Sequence, residues 1–288
     1  MHLGLIDAEA LLPAGITAVV DLGWIPAVAA AWHAASAYPG STLPEVRIAG
    51  GLLSCVGGYP AWSGWAPAGA TVELSGVAQV ERAVTAQLSL GASVIKLTLN
   101  SDAGPTPSDE LAAAVVASAQ AHGVPVAAHA QGIGQAARAL AAGATMLAHA
   151  PFSERLDDGL LLEMRRADMV WISTLDIHGW GEQTPEFSVA SDNVRRFTAL
   201  GGGMLYGTDL GNGPLSLGVN ERELLALAAA GLSRDALVAS IAGSWHPSTI
   251  GPRFAWVPGQ PPGAANDAAR WLATARGTTI DYLEETLV

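Results

Sequence analysis

Short runs of apolar residues alternate with amphipathic or alanine-rich segments along most of the chain. Seven of these runs predict β-strands, because they are short, rich in branched or small apolar residues and bounded by turn residues. They lie at 16–22, 46–54, 93–99, 124–130, 144–150, 169–175 and 201–211. Helical segments separate most of them. This strand–helix repeat is typical of βαβ units that build a parallel sheet.

Start and stop signals delimit several helices. Thr106 and Pro107 predict an N-cap and a first helical position, and Gly123 predicts the end of that helix. Two helices follow the last strand, and Ser233 is the predicted N-cap of the second. The order favours an α/β fold of the TIM-type (β/α)8 barrel class over residues 1–250, with its first strand truncated. A short irregular appendage, rich in proline and glycine, is predicted for 251–288, with a helix near 264–275.

The composition narrows the range of partners and locations that we expect for the protein. The net charge of −12 and only 14 basic residues argue against a nucleic-acid partner, because phosphate contacts require clusters of lysine and arginine. No signal peptide and no apolar run long enough for a membrane span is visible, so we expect no membrane partner and a cytoplasmic location. Charged residues make up 14% of the chain. Such a weakly charged surface favours a homo-oligomer.

Four strands carry a polar residue where the carboxyl ends of barrel strands would meet. Lys96 lies within SVIKLTL, His129 and His149 end two consecutive strands, and Asp209 follows the last strand. Active sites of parallel barrels form at that end, and imidazole and carboxylate groups suit zinc and related divalent ions. The sequence therefore predicts a metal site built from these side chains.

Each of these residues alone has an ordinary structural interpretation. A single strand-end histidine is more often a hydrogen-bonded core residue, and Asp209 in GTDLGN suits a turn. Lys96 is flanked by apolar residues, and a buried ammonium costs several kcal/mol unless it is paired or modified. A salt bridge to Asp21 is the structural alternative. The ordered set of four favours a functional site.

The segments ASVIKLTLNSD, VPVAAHAQG, GATMLAHAPF and GGMLYGTDLGN resemble the amidohydrolase superfamily, in particular its imidazolonepropionase- and prolidase-like members. The resemblance implies an N6-carboxylated Lys96 that bridges two metals. It implies that His129 and His149 bind the second metal. Asp209 would bind the first metal and act as the catalytic proton acceptor. The reaction implied is hydrolysis of an amide, a cyclic amide, a dipeptide or a related ester by a metal-activated hydroxide.

The chain departs from the family pattern in three places. The family carries two histidines on strand 1, whereas only His2 is present here. The number of metal ions, one or two, therefore remains open. The tail only partly resembles the end of the family's small β-sandwich. The loop after the third family strand offers Tyr59, Trp62 and Trp65 where a polar ligand-binding residue is common. We expect Tyr59 and Trp62 to contact a small substrate that is apolar or aromatic.

Four further histidines are considered. His178 lies where it could hold a substrate carbonyl or carboxylate, and a structural loop histidine is the equal alternative. His33, His122 and His246 are interpreted as structural or surface residues. Two other functions stay open: the same site could serve a decarboxylase or isomerase, or the barrel could bind a small molecule without catalysis.

Overall fold

The fold is described from a computed structural model, which describes residues 1–242 and 253–280. The strands are β1 (Ala18–Asp21), β2 (Glu45–Ile48), β3 (Leu52–Cys55), β4 (Thr71–Leu74), β5 (Ile95–Asn100), β6 (Val126–Gln131), β7 (Met146–Leu147), β8 (Val170–Ile172), β9 (Gly203–Leu205), β10 (Arg253–Trp256) and β11 (Arg276–Thr279). The helices are α1 (Pro26–Ala37), α2 (Val80–Ser89), α3 (Asp109–Ala121), α4 (Gln135–Ala141), α5 (Asp158–Arg166), α6 (Pro185–Ala199), α7 (Glu221–Ala229), α8 (Arg234–Ala242) and α9 (Ala265–Leu272).

A seven-stranded parallel sheet forms the centre of the molecule. Its strand order is β4-β3-β5-β6-β7-β8-β9, and every pair in it is parallel. Strands β1 and β2 form a separate parallel pair. The predicted α/β alternation is confirmed from β5 to β9, because a helix follows each of these strands. The strand pairing in the described residues does not show the closed eight-stranded barrel that the sequence predicts.

Two local predictions need correction. The run at 46–54 forms two strands, because Gly50 adopts a φ of 75° and Gly51 has no room for a side chain beside Val72. The N-cap of α3 is Ser108, whose hydroxyl accepts a hydrogen bond from the Leu111 amide, so Thr106 is not the cap.

The main core fills the space between the sheet and its helices. Trp171 on β8 is fully buried and stacks on Phe197 of α6, with ring centroids 4.0 Å apart. Burial of two such aromatic rings stabilises the fold by roughly 1.5–3 kcal/mol for each side chain. This packing makes β8 a rigid support for the residues that follow it.

The N-terminal segment is held beside the end of the sheet by backbone hydrogen bonds. The His2 amide donates to the Leu210 carbonyl at 3.0 Å, and the Leu22 amide donates to the Met1 carbonyl at 3.2 Å. Where strand 1 is predicted, residues Leu3–Leu5 form a 3₁₀ turn. This arrangement places His2 between β1 and the loop after β9.

The C-terminal region contains more regular structure than the sequence predicts. Strands β10 and β11 pair antiparallel, and α9 packs against α7 as part of the main core. The expected boundary between 250 and 251 lies outside the described residues. No helix in the described part of the chain is long and apolar enough to cross a membrane.

Candidate active site

A cavity of about 300 Å³ lies where the carboxyl ends of the parallel strands meet. Its lining includes most of the side chains predicted for the site, which come from the N-terminal segment and from five different strands or the loops that follow them. These are His2, Tyr59, Lys96, His129, His149 and Asp209. Residues more than 200 positions apart in sequence are thus brought to one site.

Lys96 forms the deep part of the cavity. It is the second residue of β5, a strand buried along its whole length, and its own exposure is 4%. Asp21 does not pair with it, because the Asp21 carboxylate accepts hydrogen bonds from the Leu3 and Gly23 amides. Within the described residues, no hydrogen bond or ion pair ends on the Lys96 amine. Burial lowers the pKa of Lys96 to about 8.

His129 projects from β6 between an aromatic ring and two side-chain amide groups. Its ring stacks on Tyr59, with centroids 4.8 Å apart. Its Nε2 lies 3.2 Å from Gln131 Oε1 and 3.4 Å from Asn100 Nδ2. Burial and, to a smaller extent, the nearby Lys96 lower the pKa of His129 to about 3. The ring is therefore neutral, as a metal ligand must be.

His149 lies just after β7 and is oriented by a residue from the next strand. Its Nδ1 lies 2.9 Å from the hydroxyl of Thr174, and its ring meets that of His129 edge-on at 5.0 Å. Thr174 has a φ of 49°, an unusual backbone conformation for a β-branched residue. Burial holds the pKa of His149 well below its ordinary value. The hydrogen bond occupies Nδ1, so Nε2 is the ring nitrogen that remains available to a ligand.

Asp209 and His2 face each other across the cavity. Asp209 Oδ1 lies 3.7 Å from His2 Nε2, while His2 Nδ1 lies 2.9 Å from the Gly23 carbonyl. Asp209 has a φ of 52° and accepts a hydrogen bond from Asn212. Burial opposes ionisation of Asp209, but its interactions with His149, His2, the Met1 amino group and Asn212 outweigh burial and hold its pKa well below its ordinary value. Asp209 is therefore an anion.

The loop after β3 contributes a different tryptophan from the one predicted. Tyr59 lines the cavity, and its hydroxyl accepts a hydrogen bond from Trp65 Nε1 at 3.0 Å. Burial raises the pKa of Tyr59 to about 12. Trp65 lines the cavity and packs on His2, whereas Trp62 is 83% exposed and does not line it.

The remaining histidines lie away from the cavity lining. His178 packs on Phe152 at 4.2 Å, and burial lowers its pKa to about 4. Substrate binding by His178 or Trp62 stays a prediction. His33 bonds the Val46 carbonyl and His122 bonds Glu81, as expected for structural and surface residues. His246 lies outside the described residues.

Three positioning residues were missed by sequence reasoning: Asn100, Gln131 and Thr174. Asn100 and Gln131 end β5 and β6, the strands of Lys96 and His129, and Thr174 follows β8. The available signal was a polar residue at the carboxyl end of a strand. Polar residues at such strand ends deserved the same weight as the histidines, because ligand side chains usually need a second group to orient them.

The donor set of the cavity fits a divalent metal ion. It combines three neutral imidazoles, one carboxylate and a buried amine without a polar partner in the described residues. In the described residues, no three His, Cys, Asp or Glu side chains converge on one point at metal-ligand distance. The donors are thus of the chemical type that a divalent ion prefers, but the described His and Asp side chains are not spaced as ligands of one ion.

Solved structures of several enzymes share this fold. A Xaa-Pro dipeptidase with bound methionine matches with a TM-score of 0.67 at 21% identity, covering 81% of this chain and 64% of that one. The A. niger ochratoxinase matches at 0.66 and 21%, covering 81% and 60%. A putative prolidase from Bifidobacterium longum matches at 0.65 and 24%, covering 81% and 62%. The chain thus spans less than two thirds of these proteins' length.

No protein-family model matches the sequence, and the comparison with curated proteins gives no match. At this level of identity the solved structures establish the fold. Its neighbours include a Xaa-Pro dipeptidase, an amidohydrolase, an ochratoxinase and prolidases. The chain therefore has the fold of these enzymes, as its strand-end motifs predict.

Proposed function

We propose that the protein is a metal-dependent hydrolase that cleaves an amide bond or a closely related C–N or ester bond. One observation carries the proposal: three imidazoles, a carboxylate and the only lysine of the chain line a single cavity at the carboxyl ends of parallel strands. The fold shared with a dipeptidase and an ochratoxinase supports it.

His2, Lys96, His129, His149 and Asp209 would hold one or two divalent ions, with zinc the best match to nitrogen and oxygen donors. An N6-carboxylated Lys96 would supply two oxygen ligands, and it would replace a costly buried amine with a group that the metal stabilises. Bound zinc supplies Lewis-acid chemistry and lowers the pKa of water toward neutrality.

The protein's own groups then have separate tasks. Asp209 is ionised, so its carboxylate accepts the proton of the attacking water and passes it to the leaving nitrogen. The Tyr59 hydroxyl accepts a bond from Trp65, so its own proton remains to be donated to the oxygen of the scissile carbonyl. Thr174 and Gln131 hold the two strand-end imidazoles in place.

The first test is metal content after incubation with zinc and bicarbonate, measured by inductively coupled plasma mass spectrometry. We expect one or two zinc ions per chain. Carbon-13 NMR in labelled bicarbonate should show a carbamate resonance that disappears in Lys96→Ala, because the chain has no second lysine. A chain that binds no zinc would contradict the proposal and favour a small-molecule-binding protein without catalysis.

The second test concerns the proton acceptor. Asp209→Asn should keep most of the bound zinc but reduce kcat on any amide substrate by at least ~100-fold, the effect of losing a general base. Asn212→Ala removes only the hydrogen bond to Asp209 and serves as the milder control. Full turnover by Asp209→Asn would exclude this residue as the proton acceptor.

A further inference from the structure

We propose that the substrate of this site is electrically neutral: a small amide that carries an apolar group and no free carboxylate. The inference rests on the proposed hydrolase function and adds the charge class of the substrate. It separates this site from one adapted to dipeptides, whose C-terminal carboxylate requires a cationic partner. The argument comes from the walls of the cavity, its charges and its hydrogen-bond donors.

Part of the cavity lining is apolar. Leu22, Leu52 and Ile172 line it, Trp65 adds an aromatic ring, and Leu5 lies at its edge with 44% of its surface exposed. These side chains offer an acyl or amine substituent a surface that excludes water. Burying apolar groups of a ligand there favours binding. The cavity volume of about 300 Å³ limits the ligand to a small molecule.

No guanidinium group lines the cavity. The 14 basic residues are 13 arginines and Lys96, all of them within the described residues, and Lys96 alone reaches the lining. The proposed function commits Lys96 to a carbamate, and Asp209 is an acidic residue of the same wall. Apart from the bound metal, whose charge Asp209 and the carbamate partly offset, and the Met1 amino group, 4.0 Å from Asp209, a substrate carboxylate would meet no cation in the lining. It would therefore lack the paired cationic donors that buried carboxylates usually require.

The polar donors of the cavity suit a neutral ligand. The Tyr59 hydroxyl is fixed by Trp65 Nε1 at 3.0 Å and stacked against His129, so it is oriented before a ligand arrives. A single fixed O–H donor matches an amide carbonyl, whereas carboxylates are usually bound by paired N–H donors of arginine. The apolar lining, the lack of a guanidinium group and the fixed Tyr59 hydroxyl thus favour the same class of ligand, a neutral amide.

Matched ligand pairs test the proposal on the zinc-loaded full chain. The probes are the N-acetyl derivatives of L-alanine, L-leucine and L-phenylalanine, each as the primary amide and as the free acid. Binding is measured by isothermal titration calorimetry, and hydrolysis is followed by chromatography of the same samples. We expect at least one amide to bind at least tenfold more tightly than its acid.

An engineered cation provides the matched variant. Leu5 is partly exposed at the cavity edge, so Leu5→Arg should fold, and it should reduce the preference for the amide at least tenfold by pairing with the acid. Leu5→Gln removes the same apolar group without adding charge and should keep the preference. Thermal unfolding of both variants checks that they remain folded.

The outcomes separate the two proposals. Equal binding of amide and acid, tighter binding of the acids, or no binding of any amide would overturn the neutral-substrate inference. An amide that binds preferentially but is not cleaved would support the inference and count against the probe as a substrate. Loss of zinc binding, measured separately, would count against the proposed function.

Discussion

Two groups of largely buried polar residues, one beside the end of β8 and one in the cavity lining, have their hydrogen bonds satisfied in different ways. The network comprises Asp176, Asn220, Arg222 and Glu223. The Asp176 carboxylate accepts bonds from Asn220 Nδ2 at 2.7 Å and Arg222 Nε at 2.8 Å, and the Asp176 amide donates to Glu223 at 2.8 Å. Most polar atoms of the network are thus paired within the protein, as buried polar groups usually are.

The cavity group comprises Lys96, His129, His149 and Asp209. Each imidazole is bonded through one ring nitrogen, and the Lys96 amine has no bond to a described residue. Buried polar groups without partners destabilise the folded state, and no interaction within the described residues offsets this cost. The comparison indicates that the network stabilises the fold, whereas the cavity group serves a ligand that completes its bonding.

The largest effect should come from Lys96→Met. We expect activity of the zinc-loaded enzyme to fall at least ~1000-fold, or about 4 kcal/mol in transition-state stabilisation. The metal-free chain should instead become more stable at pH 7 by about 1–3 kcal/mol, because a buried amine without a partner is replaced by an apolar side chain. Urea unfolding in bicarbonate-free buffer measures the stability.

The sign of this effect follows from the lowered pKa of Lys96. The unfolded chain holds the proton up to about pH 10.5, the folded chain only up to about 8. Stability of the wild-type chain should therefore rise with pH between these values, and that of Lys96→Met should not. Arg82→Met, at an exposed position of α2, is the control. A Lys96→Met chain less stable than wild type would contradict the comparison.

A substitution in the network should destabilise the chain, in contrast to the stabilisation expected for Lys96→Met. Asp176→Ala is expected to lower the free energy of unfolding by about 3 kcal/mol, because it leaves Asn220 and Arg222 without their acceptor. This value is at the lower end for a buried pair, since the Arg222 side chain is 43% exposed and partly screened by solvent. The kcat of the folded enzyme should change less than tenfold.

An exposed ion pair provides the control for Asp176. Asp235 bonds Arg234 at the surface, where its side chain is 80% exposed, so Asp235→Ala should leave the unfolding midpoint unchanged within error. Equal destabilisation by Asp176→Ala and Asp235→Ala would mean that burial of the network does not matter. A large loss of kcat in Asp176→Ala would place the network in catalysis.

The sequence predicted the strand ends of the site because parallel strands deliver their carboxyl ends to one edge. The apolar neighbours of Lys96 predicted a buried strand, and β5 is buried along its length. The choice between Trp62 and Trp65 could not be made from sequence. Both lie in a loop without periodicity, and only the packing on His2 and the bond to Tyr59 distinguish them.

The network was invisible to sequence reasoning for a related reason. Asp176 and Glu223 are 47 residues apart, and each has an ordinary local interpretation: a turn residue and a helical glutamate. Their pairing depends on how α7 packs behind β8, which no local pattern specifies. The break between β2 and β3 likewise depends on a tertiary contact, the approach of Gly51 to Val72.

The smallest effect concerns Glu223, the least satisfied member of the network. It is fully buried, and its Oε1 has no hydrogen-bond partner in the described residues. Burial raises the pKa of Glu223 to about 7, so the folded chain keeps a proton that the unfolded chain releases near pH 4.5. The contribution of the protonated Glu223 side chain to stability is complete below pH 4.5 and is lost as pH rises through 7.

Between pH 5 and 8 the free energy of unfolding of the wild type should therefore fall by about 2 kcal/mol relative to that of Glu223→Gln. Urea unfolding at four pH values measures the difference. Glu221→Gln, at an exposed position of the same helix, should follow the wild type. Parallel curves for wild type and Glu223→Gln would show that Glu223 is charged in the folded chain, and that the network is as incompletely paired as the cavity group.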